Sequence, residues 1–267
     1  MKKLTKLKRY ITARLRPSSY PGFFWHIGTP NFGDDINPSF YEKLSGTPIR
    51  LEVNQSKPHF LGMGSILERA TDSSKILGSG FIAQPDSPVN LPGSIIAVRG
   101  KLSRAAISNY PDVLLGDPMV LLSEIYSAPV GKKNKMGLVP HVSQVNNFRR
   151  IAPPGVIIID PSVEPWSVIR AIAESDFIIS QSLHGLIVAD ALGIPNLWIK
   201  PANQMIGGDF KFLDYFSTLD SPKESYILSK ELLEKPPLEN FKVGKYLYDK
   251  SVYHRKISSV VNTTLRD

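Results

Sequence analysis

The segment DFIISQSLHGLIVADALGIP, residues 176–195, decides the fold. Its first part, Asp176–Ser180, is a short apolar run rich in isoleucine, typical of a strand that is covered on both faces. Leu183–Leu192 then has the length and composition of a helix, and Gly193 and Pro195 mark its end. A buried strand that passes at once into a helix is the repeating unit of a parallel α/β sheet.

The same alternation of apolar runs, amphipathic stretches and turn residues continues along the chain and predicts a βα repeat. A sandwich or a helical bundle does not fit this pattern. The predicted strands are Gly22–Ile27, Ile49–Val53, Phe60–Met63, Lys75–Gly78, Ser94–Val98, Val113–Leu115, Met136–Pro140, Val156–Ile159, Phe177–Ser180 and Asn196–Ile199. The other predicted helices are Leu102–Asn109 and Glu164–Ser175.

A length of 267 residues suits one large α/β unit or two lobes. Residues 127–135, SAPVGKKNK, are polar and turn-rich without periodicity, so we predict a lobe boundary near residue 131. The predicted divisions are a basic tail (1–20), an N-terminal lobe (21–130), a C-terminal lobe (131–222) and a polar helical segment (223–267) that packs back across the lobes.

The positive charge is concentrated at one end of the chain. Residues 1–16 contain seven Lys or Arg and no acid, so of the net charge of +8 only +1 remains for the rest. A nucleic-acid-binding protein would spread this charge over its folded face, and nucleic acid is therefore not expected as a partner. On a helix, the tail forms a partial apolar stripe between its basic residues, as in segments that lie on anionic lipid. The stripe consists of Leu4, Leu7, Tyr10, Ile11 and Leu15. A disordered, solvated tail is the alternative.

Several protein classes are excluded by what the sequence lacks. It contains no Cys, which rules out a disulfide scaffold, thiolate zinc sites and a cysteine nucleophile. No run approaches the roughly 18 apolar residues of a membrane-spanning helix, and the first residues do not resemble a signal peptide, so a cytoplasmic location is predicted. The sequence also has no phosphate-binding P-loop, H-E-x-x-H or G-x-S-x-G motif and no cluster of metal ligands.

Polar residues follow several predicted strands, where parallel sheets bind their ligands. His184 falls in the first turn of the helix after Ser180, where an imidazole can bind a phosphate or move a proton. The alternative is that Ser180 or Ser182 caps this helix and that His184 only packs against the neighbouring strand.

A second candidate site, GTPNFGDDINP at residues 28–38, follows the first predicted strand. Gly33 permits a tight turn, Asp34 or Asp35 can cap the next helix, and Asn37 fits an N-cap followed by proline. Because one helix start needs one cap, a second carboxylate remains that can deprotonate a hydroxyl or orient a base.

Further candidates lie at other strand ends. Arg99 follows Ser94–Val98 and offers a planar fork for phosphate or carboxylate, unless it is a surface arginine paired with an acid. Asp117, after the next strand, is expected to support the site from behind. His141 follows Met136–Pro140 at a comparable position. Lys211 and Asp214 are three residues apart and can form an exposed ion pair on one helix face.

Taken in order, these segments resemble the polysaccharide pyruvyltransferase family. The matching stretches are NFGD (31–34), VRGKLS (98–103), GDP (116–118), SQSLHG (180–185), GIP (193–195) and KFLDY (211–215). The resemblance covers about residues 22–217. It implies an α/β fold of two Rossmann-like lobes that face a cleft, similar to GT-B glycosyltransferases.

The resemblance also implies an activity. Such proteins transfer pyruvate from phosphoenolpyruvate to two hydroxyls of one sugar, which forms a ketal and releases phosphate. The acceptor is expected to be a hexose of a cell-surface polysaccharide or of its lipid-linked precursor, reached from the inner leaflet of the membrane. His184 would be the acid/base residue, Arg99 would bind an anion, Asp34 would belong to the acceptor side and Lys211 would be a cation near the donor.

The remaining residues expected to bind substrate lie at the same strand ends: Asn31, Asp117, His141, Ser180, Ser182 and Gly185. No metal ion or further cofactor is expected. Many family members have arginine two residues before the histidine, where this chain has Ser182. Either Lys211, Lys200 or Arg99 then compensates, or the donor differs.

Two other functions fit the same residues. A nucleotide-sugar glycosyltransferase of exopolysaccharide synthesis would use a helix start and an arginine to hold a diphosphate. A non-catalytic module would instead use the basic tail to recruit capsule or exopolysaccharide machinery to the membrane.

Overall fold

The computed structural model describes residues 2–109, 112–128, 135–200 and 206–263. The predicted lobe boundary near residue 131 lies outside the described residues. One parallel sheet precedes this boundary in the sequence, and a second parallel sheet follows it.

The first sheet has six parallel strands in the order β2-β1-β3-β4-β5-β6. The strands are β1 (Gly22–Phe24), β2 (Arg50–Leu51), β3 (His59–Leu61), β4 (Ser74–Leu77), β5 (Ser94–Val98) and β6 (Leu114–Leu115).

The second sheet has five parallel strands in the order β11-β10-β9-β7-β8. Its strands are β7 (Met136–Val139), β8 (Val156–Ile158), β9 (Phe177–Ser180), β10 (Asn196–Ile199) and β11 (Ser225–Tyr226).

Helices connect the strands of both sheets. They are α1 (Lys2–Arg14), α2 (Phe32–Asp35), α3 (Asn37–Ser45), α4 (Lys101–Ala105), α5 (Leu122–Ile125), α6 (Val145–Ile151), α7 (Pro165–Ala173), α8 (Leu183–Ala191), α9 (Phe210–Phe216), α10 (Lys230–Glu234) and α11 (Lys250–Thr263). Two Rossmann-like α/β lobes result, which confirms the predicted fold class and the two-lobed arrangement that the resemblance implied.

The predicted strands β5, β9 and β10 are found with the predicted bounds, whereas most of the others are one to three residues shorter. β1 ends at Phe24 instead of Ile27 because only Gly22–Phe24 pair with the neighbouring strands. α4 ends at Ala105 instead of Asn109, since Ile107 forms a bridge with Val89. β11 was not predicted, and its two residues add a strand to the edge of the second sheet.

The lobes share one apolar core. The largest cluster of buried side chains contains Phe23 and Phe40 of the first lobe together with Val139 and Leu186 of the second. α8 contributes to it because its first eight residues are all buried and its surface contacts the 3₁₀ turn Pro118–Leu121. Helix α8, which follows β9, therefore lies at the junction of the two lobes.

The C-terminal segment returns to the first lobe. α11 packs against α3, and the Tyr253 hydroxyl donates to the carbonyl of Gly116. The buried Asp190 carboxylate accepts from the amide of Gly244 at 2.7 Å and from Lys223 Nζ at 3.0 Å. These bonds fix the chain that leads to α11.

The basic tail is helical from Lys2 to Arg14. Ala13 is buried and Tyr10 is half-buried against the body of the protein, and just beyond the helix Arg16 pairs with Glu42. No helix in the described part of the chain combines the length and the apolar character needed to cross a bilayer.

Candidate active site

The carboxyl ends of strands from both sheets meet where the lobes join. Asn31-Phe32-Gly33-Asp34 follows β1, Asp117 follows β6, and His184 follows β9 at the start of α8. The amide of Phe32 donates to the carbonyl of Pro161 in the other lobe at 2.7 Å, which fixes the first of these loops against the second lobe.

The His184 imidazole is enclosed by the first lobe. It is 7% exposed, and it meets the Phe32 ring edge-to-face with 6.2 Å between the ring centroids. Gly33 lies against the same ring, because a Cβ on Gly33 would come within 2.0 Å of His184 Nδ1. This close approach, rather than a tight turn, is the reason for glycine at position 33.

Asp117 faces His184 from the first lobe. Its Oδ1 atom accepts from the Met119 amide at 3.0 Å and so caps the 3₁₀ turn. Its Oδ2 atom lies 3.6 Å from His184 Nε2, and both atoms are buried without a hydrogen-bond partner among the described residues. The structure thus brings together a carboxylate and an imidazole from different lobes.

Asn31, and neither aspartate, caps α2. Asn31 Oδ1 accepts from the Gly33 amide at 3.4 Å, and Asn31 Nδ2 donates to Asp34 Oδ2 at 3.2 Å. The prediction that Asp34 or Asp35 caps the helix is therefore wrong, since both lie inside its only turn. Asp35 is buried and accepts from the Asn31 amide, whereas Asp34 is partly exposed.

Asn37 is not an N-cap either. It is the first residue of α3, and its buried side chain bridges the Asp34 carbonyl and the backbone of Met63. It links the Asp34 loop to the Gly62–Ser65 turn after β3. In that turn, a Cβ on Gly64 would meet Asp34 Oδ1 at 3.2 Å.

Arg99 lies beneath the site and does not reach its surface. The side chain is fully buried, with Nε donating to Asp214 Oδ2 at 2.9 Å and Nη1 to Ser65 Oγ at 2.9 Å. Nη2 donates to the Phe81 carbonyl at 2.6 Å. Because Arg99 is fully buried, it does not contact a ligand directly in this structure, which corrects the expected anion-binding role. The alternative of a surface arginine is wrong for the same reason.

Asp214 is the partner of Arg99 and the cap of α4. Its carboxylate accepts from the Ser103 amide at 2.8 Å and from Ser103 Oγ at 2.6 Å. A Cβ on Gly100 would lie 1.9 Å from the Asp214 carbonyl oxygen, so only glycine permits this approach of α9 to α4. The predicted exposed pair of Lys211 with Asp214 is wrong, because both carboxylate oxygens are engaged inside the lobe junction.

Lys211 is left as a half-buried cation beside the site. Burial and the Arg99 charge lower the pKa of Lys211 to about 8, and the Asp34 charge opposes them. The ammonium therefore titrates near physiological pH. Its dependence on both charges indicates that Lys211 is near Arg99 and Asp34.

His141 follows β7 and caps the 3₁₀ turn Val142–Gln144. Its Nδ1 is 2.8 Å from Ser143 Oγ, and its amide donates to Gln181 Oε1 at 3.1 Å. Burial and the Lys211 charge lower the pKa of His141, so its ring is mostly neutral at pH 7.

The two serines before α8 have different roles. Ser180 is fully buried, and its Oγ accepts from the Ser182 amide at 3.1 Å and donates to the Ser182 carbonyl at 2.8 Å. Ser182 occupies the N-cap position but makes no side-chain capping bond, so the predicted serine cap is wrong. Ser180 thus shapes the turn, while the half-buried Ser182 is nearer to the surface of the site.

Gly185 has a packing role. A Cβ at this position would meet Ser180 Oγ at 2.4 Å.

Two residues of the site were missed by the sequence analysis, Ser65 and Gln181, which hold Arg99 and the His141 loop. Both residues follow predicted strands, which was the available signal for a place in the site. Their hydrogen-bond partners could not be predicted because they are distant in sequence. Among the described residues, no group of three or more His, Asp or Glu side chains is arranged to hold a metal ion.

The fold and the site define a two-lobed α/β protein with an imidazole, two carboxylates and a lysine at the carboxyl ends of its strands. Residues 91–203 match the family described as polysaccharide pyruvyl transferase. The succinoglycan biosynthesis protein ExoV of Rhizobium meliloti (strain 1021) is 30% identical over 209 residues. Over the matched residues the chain is similar to the polysaccharide pyruvyl transferase family.

The ExoV alignment covers 74% of this chain and 64% of ExoV, so the chain spans just under two thirds of that relative. The uncharacterized protein L143 of Acanthamoeba polyphaga mimivirus is 27% identical over 215 residues, which cover 73% of each chain. The crystal structure of an uncharacterized protein from Klebsiella pneumoniae aligns over 85% of this chain and 96% of its own, with 14% identity and a TM-score of 0.48.

Proposed function

We propose that the protein transfers pyruvate from phosphoenolpyruvate to two hydroxyls of a hexose. The hexose belongs to an extracellular polysaccharide or to its lipid-linked precursor, and the products are a cyclic pyruvate ketal and inorganic phosphate. The observation that carries the proposal is the meeting of His184 with Asp117, next to Lys211 and Asp34, at the junction of the lobes. The family match over residues 91–203 and the similarity to a succinoglycan biosynthesis protein support it.

The chemistry needs these types of residue. A proton is added to the methylene carbon of phosphoenolpyruvate, and the neighbouring carbon becomes an oxocarbenium-like centre. One sugar hydroxyl attacks this carbon and loses its proton to a base. The second hydroxyl then replaces the phosphate and closes the ring, so that all atoms of the two substrates appear in ketal and phosphate. The scheme requires proton transfer and neutralised anions, and it uses no cofactor besides the donor.

Each group has a place in this scheme. His184 moves protons at the reacting carbon or its oxygen. Asp34, the partly exposed carboxylate of the first lobe, accepts the proton of the attacking hydroxyl, and Asn31 Nδ2 orients it at 3.2 Å. Asp117 supports His184 from the first lobe, with its Oδ2 atom 3.6 Å from Nε2.

The anionic donor is neutralised by the second lobe. One of Lys211, Lys200 and Arg99 was expected to compensate for Ser182 unless the donor differs, but Arg99 is buried and Lys200 pairs with Asp209 at 2.8 Å. The Lys211 ammonium makes no ion pair among the described residues and is the best available counter-charge. The amides at the start of α8 and the Ser182 hydroxyl can add hydrogen bonds to a phosphate.

The charge of Lys211 predicts a pH limit. Below pH 8 the ammonium is charged and favours the anionic donor. The value of kcat/KM for phosphoenolpyruvate is therefore expected to fall as pH rises through about 8, where the free enzyme loses this proton. Lys211→Arg should shift the falling limb to higher pH because arginine stays charged, whereas Lys211→Gln should lower kcat/KM below about pH 8 and remove the falling limb.

Lys230→Gln, an exposed substitution on α10, is the matched control and should leave the profile unchanged. A wild-type profile that stays flat from pH 7 to 10, or a Lys211→Gln variant with the wild-type profile, would remove Lys211 from donor binding.

We also propose that α1 rests on the anionic inner leaflet, near a lipid-linked acceptor. Leu7 and Ile11 on the helix and Leu15 just beyond it follow at intervals of four, and they are 52%, 45% and 79% exposed. These three side chains of the apolar stripe thus face away from the body, which is contacted by Ala13 and by the stripe residue Tyr10. An outward apolar stripe within a segment of seven cations and no acid is suited to an anionic lipid surface.

This partner predicts salt-sensitive binding to vesicles. The protein is expected to sediment with phosphatidylglycerol-containing vesicles at low salt and to be released at high salt, because the Debye length shrinks. A Leu7→Ser/Ile11→Ser variant should bind at least about 10-fold more weakly, since each side chain loses burial in the interface. Ile227→Ser, at an 84% exposed position far from α1 in sequence, should bind like wild type. Equal binding to neutral vesicles, or no effect of the α1 substitutions, would contradict the proposal.

The reaction itself is tested by phosphate release from phosphoenolpyruvate with a panel of lipid-linked or nitrophenyl hexosides. Release that requires both an acceptor and His184 supports the ketal transfer. No release with any acceptor, together with a rise in melting temperature on adding nucleotide sugars, would favour the glycosyltransferase alternative. If the protein is a recruitment module, His184→Ala should leave its role intact while deletion of residues 1–16 abolishes it.

A further inference from the structure

The two nitrogens of the His184 ring have different surroundings. Nε2 is buried away from solvent and faces Asp117 Oδ2 at 3.6 Å. Nδ1 lies against the backbone of Gly33, at the place where any other residue would put its Cβ. Of the two ring nitrogens only Nε2 is fully buried without a partner, so Nδ1 is the nitrogen that a ligand at the lobe junction can reach.

Asp117 is held in position to act on Nε2. Its Oδ1 atom is fixed by the Met119 amide at 3.0 Å, which limits rotation of the carboxylate and leaves Oδ2 directed at the ring. Oδ2 has no other hydrogen-bond partner among the described residues. Because an ionised carboxylate only accepts hydrogen bonds, the imidazole nitrogen opposite it is the one that carries the hydrogen.

We infer that proton transfer by His184 runs through Nδ1, and that Asp117 is the positioning residue that keeps the hydrogen on Nε2. Nδ1, which is not fully buried, then presents a lone pair in the neutral ring and a proton in the charged ring. The distance of 3.6 Å is slightly longer than a hydrogen bond, as is common for catalytic pairs before substrate binds.

The role of Asp117 deepens the proposed function, since its effect on turnover rests on that function. Which nitrogen of the His184 ring carries the hydrogen does not depend on the proposed function. The location of the ring hydrogen in neutral His184 is a property of the free protein, so it is measured without any substrate and separates the two hypotheses.

The test is a nitrogen-15 spectrum of the histidine side chains at about pH 8, where an unperturbed imidazole is mostly neutral. The His184 signals are identified by their loss in His184→Gln. We expect protonated Nε2 and unprotonated Nδ1. Hydrogen on Nδ1, or equal amounts of both forms, would overturn the inference.

Asp117→Asn supplies the second arm. Asparagine keeps an oxygen for the Met119 amide but turns an NH₂ group toward Nε2, which then has to accept. The hydrogen should move to Nδ1, and kcat should fall by about 10²–10⁴-fold with little change in KM, as for other catalytic imidazoles forced into the wrong tautomer.

Asp86→Asn, the same substitution at an exposed position, is the control and should change neither the spectrum nor kcat. An Asp117→Asn protein with the wild-type spectrum and wild-type kcat would exclude the positioning role. If the spectra behave as expected while no variant, and not even the wild type, releases phosphate from phosphoenolpyruvate, the proposed reaction fails and the assignment of the ring hydrogen stands.

Discussion

Replacing His184 by alanine is expected to lower turnover by about 10²–10⁴-fold without unfolding the protein. The loss corresponds to removal of the group that moves protons at the reacting carbon. The fold should persist because the imidazole makes no hydrogen bond among the described residues and its Nε2 atom is already without a partner. Its main packing contact is the edge-to-face arrangement with Phe32.

The control for this prediction is His254→Ala. His254 lies on α11 and contacts Glu124 and the Leu44 carbonyl, far along the chain from the strand ends of the site. It should retain the turnover of wild type, although its melting temperature can fall. Full activity of His184→Ala, with circular dichroism spectra like those of wild type, would remove His184 from the mechanism.

Asp214→Ala is expected to lower the free energy of unfolding by about 3–5 kcal/mol. The substitution leaves the Arg99 guanidinium fully buried without its counter-charge. It also removes the acceptor of the Ser103 amide at the start of α4, an N-terminal cap of the kind that typically contributes about 1 kcal/mol. Because α9 and α4 come from different lobes, the loss weakens the junction that carries the site.

Denaturant unfolding measures this loss, and Asp209→Ala is the matched control. Asp209 immediately precedes the same helix and pairs with Lys200, whose side chain is half-exposed, so its removal should cost at most about 1 kcal/mol. Adding Arg99→Met to Asp214→Ala should recover part of the stability, since no unpaired buried charge then remains. Equal effects of Asp214→Ala and Asp209→Ala would contradict the proposed role of the buried pair.

The architecture and the location of the site were predictable from local sequence. The apolar runs of β5, β9 and β10 are bounded by polar or turn residues, so their ends are set by short-range pattern alone. Parallel strands put their carboxyl ends on one edge, and this rule predicted Asp117 and His184 at the binding edges of their own sheets, which face each other where the lobes join. Two-residue strands such as β11 have too little pattern to be predicted.

The partners of the charged residues were not predictable. Arg99 and Asp214 are 115 positions apart, whereas the spacing of three between Lys211 and Asp214 suggested a local pair. Tertiary packing overrode this preference, because the Asp214 carboxylate accepts hydrogen bonds from Arg99 and from the Ser103 amide at the start of α4. The cap of α2 was also ambiguous, since Asn31, Asp34 and Asp35 are all good capping types within one turn.

The central claim is most directly tested by the stoichiometry of the products. Wild-type protein is incubated with phosphoenolpyruvate and an acceptor hexoside, and released phosphate and ketal-modified acceptor are both quantified. The account predicts one ketal for each phosphate, with both products reduced together in His184→Ala. Phosphate released without any modified acceptor, or a modified acceptor formed equally well by His184→Ala, would contradict it.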